Sequence, residues 1–231
     1  MTKRIAILQS NYIPWKGYFD LIGLVDEFVI LDTVQFTKND WRNRNRIPAG
    51  KDGVWLTIPV KTSGRFGQRI DETEVDGVAW TRKHWMTIAQ TYAKAPHFKA
   101  YEPAISAAYG AAARDTLLSR INQLFIHALC DVLSIRTPII VAEDIPAEDK
   151  TERVVQICLK RGATNYITGP AARDYIEPGQ FERAGVRLEY MDYSGYREYR
   201  QKGAAFDHYV SVIDLIFNEG PNARSFMKIG A

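Results

Sequence analysis

The amino-terminal quarter of this chain carries the pattern that decides its fold. Residues 4–60 read RIAILQSNYIPWKGYFDLIGLVDEFVILDTVQFTKNDWRNRNRIPAGKDGVWLTIPV. Three apolar runs at residues 5–8, 28–31 and 54–60 have strand character. The segments between them are rich in Gln, Asn, Tyr, Trp, Asp and Arg. A stretch that only builds a core would not collect so many hydrogen-bonding side chains at strand ends, so we expect the binding site here.

The first two apolar runs frame a strand–loop–helix–strand unit. Residues 16–25 between them carry apolar side chains at helical spacing. Such a unit forms with parallel strands and a right-handed crossover. Because open α/β sheets bind ligands at the carboxyl ends of their strands, we expect Gln9, Asn11 and Asp32 near one crevice.

The remaining pattern predicts an α/β fold with a mostly parallel sheet. A single domain over residues 1–231 is expected, with a helical section at 79–135 inside it. Thr151 is the predicted cap of one later helix. The other expected elements are a β-hairpin over 41–60 with its loop at 48–53, short strands at 71–78, 138–142, 165–168 and 186–190, and helices at 151–161 and 209–218.

Composition bounds the class of protein. The 231 residues are 46% hydrophobic and 25% charged, as in globular proteins. A net charge of +3 is too small for nucleic-acid binding over the whole surface. Cys130 and Cys158 lie in apolar helical segments and are expected to be free, buried thiols in a reducing cytoplasm. The first residues lack the apolar core of a signal peptide, and no apolar run is long enough to span a bilayer, so a cytoplasmic protein is predicted.

Three arginines alternate along the predicted hairpin. In a strand, Arg42, Arg44 and Arg46 would share one face, with Asn43 and Asn45 on the other. Like charges in a row are unfavourable unless an anion lies opposite, and guanidinium groups bind phosphate with two donors at once. The row therefore predicts a diphosphate or carboxylate clamp. A solvated hairpin face and an RNA-binding face remain open as alternatives.

The loop after the first strand offers recognition groups. Gln9 and Asn11 supply donors and acceptors, while Trp15 and Tyr18 supply flat faces for a sugar or a base. A tight turn with aromatic core residues is the alternative. The loop weakly resembles that of class I synthetase-type nucleotidyltransferases. It lacks the histidines of that motif, so adenylyl transfer by that mechanism is not indicated.

Three further groups are candidates. His84 is the best general acid or base among four dispersed histidines, whose spacing predicts no metal site. Lys61 opens a Gly- and Ser-containing loop that would suit a lid. A turn at Thr168 and Gly169 would place free backbone amides at another strand end. Just after it, Arg173 could bind a phosphate and Asp174 could bind an amine of the substrate. A plain structural turn fits that segment equally well.

Several motifs of the chain together resemble the WbqC-like family. They are Q-x-N-Y-x-P-W-x-G-Y-F-x-L-I (from Gln9, through Tyr12), D-T-V-Q (Asp32 to Gln35), W-R-N-R-N-R-I, L-T-I-P-V, Y-I-T-G and S-V-I-D-L. Members of that family are associated with bacterial O-antigen and other surface-polysaccharide gene sets, often for amide-decorated amino sugars. The resemblance implies an enzyme that transfers an acyl or aminoacyl group to a nucleotide-linked amino sugar.

The resulting hypothesis assigns roles to the candidate residues. The arginines hold a diphosphate, Trp15 and Tyr18 pack on a ring, and polar side chains including Gln35 orient the substrate. Asp32 or His84 deprotonates the attacking amine. ATP, acyl-CoA and aminoacyl-tRNA remain open as donors or cofactors, and a homo-oligomer is compatible with the sequence. A non-catalytic binding module and an RNA-binding protein are the competing interpretations.

Overall fold

A parallel five-stranded sheet forms the centre of the computed structural model, which describes residues 2–50, 53–202 and 205–230. The sheet contains β1, β2, β5, β6 and β7, in the order β5-β2-β1-β6-β7. β3 and β4 form a separate antiparallel hairpin. The strands are β1 Arg4–Leu8, β2 Glu27–Ile30, β3 Arg44–Ile47, β4 Val54–Thr57, β5 Ile139–Val141, β6 Asn165–Thr168 and β7 Arg187–Tyr190. The helices are α1 Lys16–Gly23, α2 Ala79–Tyr92, α3 Phe98–Ala112, α4 Leu118–Val132, α5 Lys150–Lys160, α6 Pro178–Arg183 and α7 Val212–Glu219.

The central strands are mainly apolar because helices cover both faces of the sheet. Ala6 of β1 and Phe28 of β2 point into one core cluster, which also contains buried residues of α1, the helical section and α7. Ile5 and Ile7 of β1 point the other way, into a cluster with α5 and α6. This alternation explains why parallel strands appear in the sequence as unbroken apolar runs. The predicted α/β class with a mostly parallel sheet is confirmed.

The order of the strands creates a switch point beside β1. The chain first builds outward from β1 through β2 to β5, and it then returns to the other side of β1 with β6 and β7. The connection after β1 therefore leads to β2 on one side, and the connection after β6 leads to β7 on the other side. In doubly wound sheets, the crevice for ligands lies at the carboxyl ends of such a pair of strands.

The hairpin sits over the end of β1. The amide of Tyr12 donates to the carbonyl of Trp41 at 3.0 Å, and the amide of Ser211 donates to the carbonyl of Arg46 at 3.0 Å. These two bonds join the loop after β1, the hairpin and the start of α7. The predicted loop of the hairpin includes residues 51 and 52, which lie outside the described residues.

Several predicted boundaries are wrong. Residues 41–43 form a turn, so β3 begins only at Arg44. Residues 71–78 make isolated bridges instead of a strand. Asp149 caps α5 by accepting from the amide of Glu152 at 2.8 Å, where Thr151 was predicted. Cys130 and Cys158 are free and buried, as expected. None of the helices in the described ranges is long and apolar enough to cross a membrane.

Candidate functional site

Two amide side chains and one arginine meet at the carboxyl end of β1. Arg42 donates through one terminal nitrogen to Asn11 Oδ1 at 2.7 Å and through the other to Gln9 Oε1 at 3.1 Å. A carboxylate oxygen of Asp40 lies 3.7 Å from the same guanidinium. Because Gln9 and Asn11 follow the buried strand directly, the strand fixes both partners of Arg42. The structure thus brings together three of the predicted binding residues.

The prediction that three arginines share one face is wrong. Arg42 lies in the turn before β3 and points to the sheet edge. Arg44 and Arg46 do alternate on β3, and their guanidinium carbons lie 4.4 Å and 5.8 Å from the centroid of Trp55. Arg46 also forms an ion pair with Asp207. Side chains alternate between the two faces only inside a strand, and Arg42 lies in the turn at residues 41–43, before the strand begins.

An aromatic pocket of about 320 Å³ opens next to Asn11. We use "aromatic pocket" for the cavity lined by Asn11, Pro14, Trp15, Trp41, Asn45 and Tyr209. The rings of Trp15 and Tyr209 lie 5.2 Å apart. Trp15 was predicted as a binding face and lines this cavity, whereas Tyr18 is buried in the core and donates to the carbonyl of Gln9 at 3.0 Å.

Two aromatic side chains of the aromatic pocket are not among the residues predicted for the sugar site, although Trp41 is one that an RNA-binding face would use to stack a base. Trp41 and Tyr209 are large aromatic side chains that stay 40% and 60% exposed. An aromatic residue at the edge of a polar segment was the available signal for Trp41. Tyr209 comes from a loop nearly two hundred residues after Trp15, and no local pattern marks it.

The loop that carries Gln9 and Asn11 contains a strained residue, and a side chain of β3 holds its backbone by hydrogen bonds. Ile13 has φ +36°, in the left-handed region that β-branched residues avoid. The amide nitrogen of Asn45 donates to the carbonyls of Ile13 at 2.9 Å and Tyr12 at 3.2 Å. Asn43 instead donates to the carbonyl of Ile58 at 2.9 Å. Both asparagines were candidate binding residues, but their amides hold the backbone, and only Asn45 reaches the aromatic pocket.

Asp32 lies beneath the crevice and is fully buried. It accepts from the amide of Ser10 at 2.8 Å and from the hydroxyl of Ser119. Burial raises the pKa of this carboxyl, and the hydrogen bonds from Ser119 and Ser10 act against that rise. The carboxylate therefore fixes the loop after β1 to α4, and its oxygens are occupied inside the protein.

His84 belongs to a buried tyrosine cluster. Its Nδ1 lies 2.9 Å from the hydroxyl of Tyr12, which lies 2.5 Å from the hydroxyl of Tyr109. Burial lowers the pKa of His84 to about 4. The imidazole is therefore neutral at pH 7 and links α2 to the loop after β1. Tyr12, a predicted binding residue, has no exposed surface.

Residues after β6 form the opposite wall of the crevice. Thr168 is buried at the strand end, Gly169 follows it, and Asp174 lies exposed in the next 3₁₀ turn. The guanidinium of Arg173 lies 3.9 Å from the centroid of Tyr190. Burial raises the pKa of Tyr175, and the positive charge of Arg42 opposes that rise. Since β1 and β6 are parallel neighbours, the residues after β6 lie at the same edge of the sheet as Gln9 and Asn11.

Two of the predicted binding residues lie in loops other than those that follow β1 and β6. Lys61 pairs with Glu74 at 2.7 Å, and Gln35 is exposed and bridges to Arg69. They belong to loops stacked on the end of β2, where the amide of Asp71 donates to the carbonyl of Asp32 at 3.1 Å. Within residues 2–50, 53–202 and 205–230, no group of three or more His, Cys, Asp or Glu side chains is placed to hold a metal ion.

The fold and this edge define a doubly wound α/β protein in which the side chains of Gln9, Asn11 and Arg42 meet at the carboxyl end of β1. The chain belongs to the WbqC-like protein family, whose model matches residues 9–226. It is 42% identical over 227 residues to the uncharacterized protein Rv1507c of Mycobacterium tuberculosis, and the match covers 98% of each chain. No solved structure matches the chain.

Proposed function

We propose that this protein is an enzyme of bacterial surface-polysaccharide biosynthesis that transfers an acyl or aminoacyl group to a nucleotide-linked amino sugar. The observation that carries the proposal is that Asn11 contacts both the aromatic pocket and Arg42. This residue lines the aromatic pocket and also accepts a hydrogen bond from Arg42. One ligand with a ring and a diphosphate would place the ring in the aromatic pocket and the diphosphate beside Arg42.

The aromatic pocket suits a ring. Its volume lies at the lower end of the range for small-molecule sites, and its walls are mainly aromatic with two asparagine side chains. Indole and phenol faces bind bases and sugars through stacking, while amides fix their orientation. We assign the sugar or base of the acceptor to this cavity.

Arg42 suits the diphosphate. A guanidinium has five N–H donors, and hydrogen bonds to Asn11 and Gln9 use only part of them. Those bonds also fix the orientation of its plane, which lowers the entropy cost of binding an anion. Arg173, on the wall after β6, supplies a second positive charge for the same ligand.

A second aromatic surface suits the donor. Trp41, in the turn before the hairpin, and Trp55, on β4, are both partly exposed, and their ring centroids lie 5.7 Å apart, with Arg44 over Trp55. Trp41 therefore borders both this surface and the aromatic pocket. ATP, acyl-CoA and aminoacyl-tRNA all carry an adenosine, and an exposed indole next to an arginine stacks on such a base. In the transfer, the sugar nitrogen forms a bond to the acyl carbon while the bond from that carbon to the donor's leaving group breaks. The leaving group departs with the electron pair of that bond, and the amine proton passes to the leaving group or to water. Positioning of the two substrates supplies most of the acceleration.

The burial of Asp32 and His84 favours one competing function. Both were predicted to remove the proton from the amine, and both have their polar atoms bonded inside the protein. A non-catalytic module that binds a nucleotide sugar would need no proton acceptor at the crevice.

Calorimetric titration of nucleotide-linked amino sugars tests the binding step. Arg42→Lys keeps the charge but loses the two-pronged contact with Gln9 and Asn11, so we expect at least about tenfold weaker binding. Arg44→Lys is the matched control, and it should leave acceptor affinity unchanged. Equal affinity in Arg42→Lys and wild type would contradict the site.

Mass spectrometry of the sugar nucleotide after incubation with each donor tests the transfer. An acylated product is expected with one of ATP plus acid, acyl-CoA or aminoacyl-tRNA. Tight acceptor binding without product from any donor would establish the binding module instead.

A further inference from the structure

A buried lysine lies behind Trp15. Lys16, the first residue of α1, is only 2% exposed. Its Nζ lies 4.2 Å from the ring centroid of Tyr196 and 5.7 Å from that of Tyr199. Both tyrosines belong to the cover segment, which we define as residues 193–202 and 205–209. Among the described residues, Lys16 Nζ has no hydrogen-bond partner.

Two more nitrogen atoms around the cover segment share this property. His208 Nδ1 and Arg46 Nε are buried and unpartnered within the described parts of the chain. The ring of His208 lies 5.9 Å from that of Tyr196, and the charge of Lys16 helps to lower the pKa of His208. Arg46 reaches the same place through its ion pair with Asp207, the residue before His208. Three nitrogen-bearing side chains thus surround one end of the cover segment.

Nearby carboxylates do not neutralise Lys16 by contact. Asp20, on the same helix, accepts from the hydroxyl of Tyr196 and from the amide of Ile229 at 3.0 Å. Burial lowers the pKa of Lys16 to about 8, and the charge of Asp20 opposes that shift. Cation–π contacts with two tyrosines replace only part of the hydration that the ammonium loses. An anion with oxygen acceptors would satisfy the ammonium fully.

We propose that Lys16 and His208 bind a small oxyanion beneath the cover segment, next to Tyr196. Either a carboxylate or an inorganic phosphate supplies the required oxygens. The ring of Trp15 lies 5.2 Å from that of Tyr209, which lines the aromatic pocket, and 6.0 Å from that of Tyr196, which lies over Lys16. The subsite is distinct from the proposed acceptor site and does not depend on it.

Thermal melting of the full chain in sodium acetate, sodium phosphate and sodium chloride at equal ionic strength tests the proposal. We expect acetate or phosphate to raise the Tm of the wild type by about 3 °C over chloride. Lys16→Met should lose this increment, and Lys202→Gln should keep it. Lys202 is the matched control because it is an exposed lysine of the same segment. Anions that stabilise proteins by exclusion would act equally on both variants.

The two salts distinguish the sources of the oxyanion. An increment with acetate alone identifies a carboxylate, and one with phosphate alone identifies phosphate. If Lys16→Met fails to fold, His208→Ala serves as the second variant and should reduce the increment at least by half. Equal increments in the wild type and these variants, or no increment with either salt, would overturn the proposal. Acceptor binding measured on the same variants stays unchanged if only this subsite is lost.

Discussion

Replacing Asn45 by alanine is expected to destabilise the protein far more than the same change at Asn43. Asn45 is 1% exposed and makes three hydrogen bonds. It donates to the carbonyls of Ile13 and Tyr12, and its Oδ1 accepts from the amide of Arg46 at 2.8 Å. At about 1 kcal/mol for each bond, Asn45→Ala should cost about 3 kcal/mol. The strained φ of Ile13 would lose its restraint at the same time.

Asn43 provides the matched control in the same hairpin. It is 3% exposed, but within the described part of the chain its side chain makes a single hydrogen bond, to the carbonyl of Ile58. Asn43→Ala should cost about 1 kcal/mol. Urea denaturation followed by tryptophan fluorescence measures both, and thermal melting should separate the two variants by about 4–8 °C. Equal destabilisation by the two substitutions would refute the idea that Asn45 holds the loop after β1.

Three further changes test other contacts. His84 is neutral in the fold, with a pKa of about 4 against the ordinary 6.5. Its contribution to the free energy of unfolding is therefore complete above pH 6.5, and about 3 kcal/mol of that free energy is lost by pH 4. In urea titrations, His84→Gln should lose less stability than the wild type over the same pH range. Gly17→Ala places a methyl group into the indole of Trp15, so calorimetry should show weaker acceptor binding with little change in Tm. Glu27→Gln weakens two 2.7 Å bonds from Arg161, and thermal melting should reveal a loss of about 1–2 kcal/mol.

Local patterns were sufficient for the sheet. The run at residues 165–168 was predicted with the bounds that β6 has, and β1 and β2 lie within one residue of their apolar runs. The hairpin register follows from alternation and loop length. These elements were predictable because strand periodicity and turn residues act over a few neighbouring positions, and burial on both faces requires an unbroken apolar run.

The candidate site was predictable only in part. Gln9 and Asn11 were found because they follow a buried strand, and that position alone places them at the sheet edge. The same rule placed Asp32 at the edge but gave no information about its burial under Ser119, a residue of α4. His84 looked like a catalytic group because a lone histidine in a polar run gives no sign of which way it points.

The sequence by itself determined the class of fold, the family and the strand ends where polar side chains gather. Only the tertiary structure decided that Arg42 turns away from Arg44 to meet Asn11, and that Tyr209 closes the aromatic pocket against Trp15. The physical reason is the range of the forces involved. Helix and strand patterns depend on residues that are a few positions apart, whereas a buried hydrogen bond or ring contact depends on packing between segments that are distant in the chain.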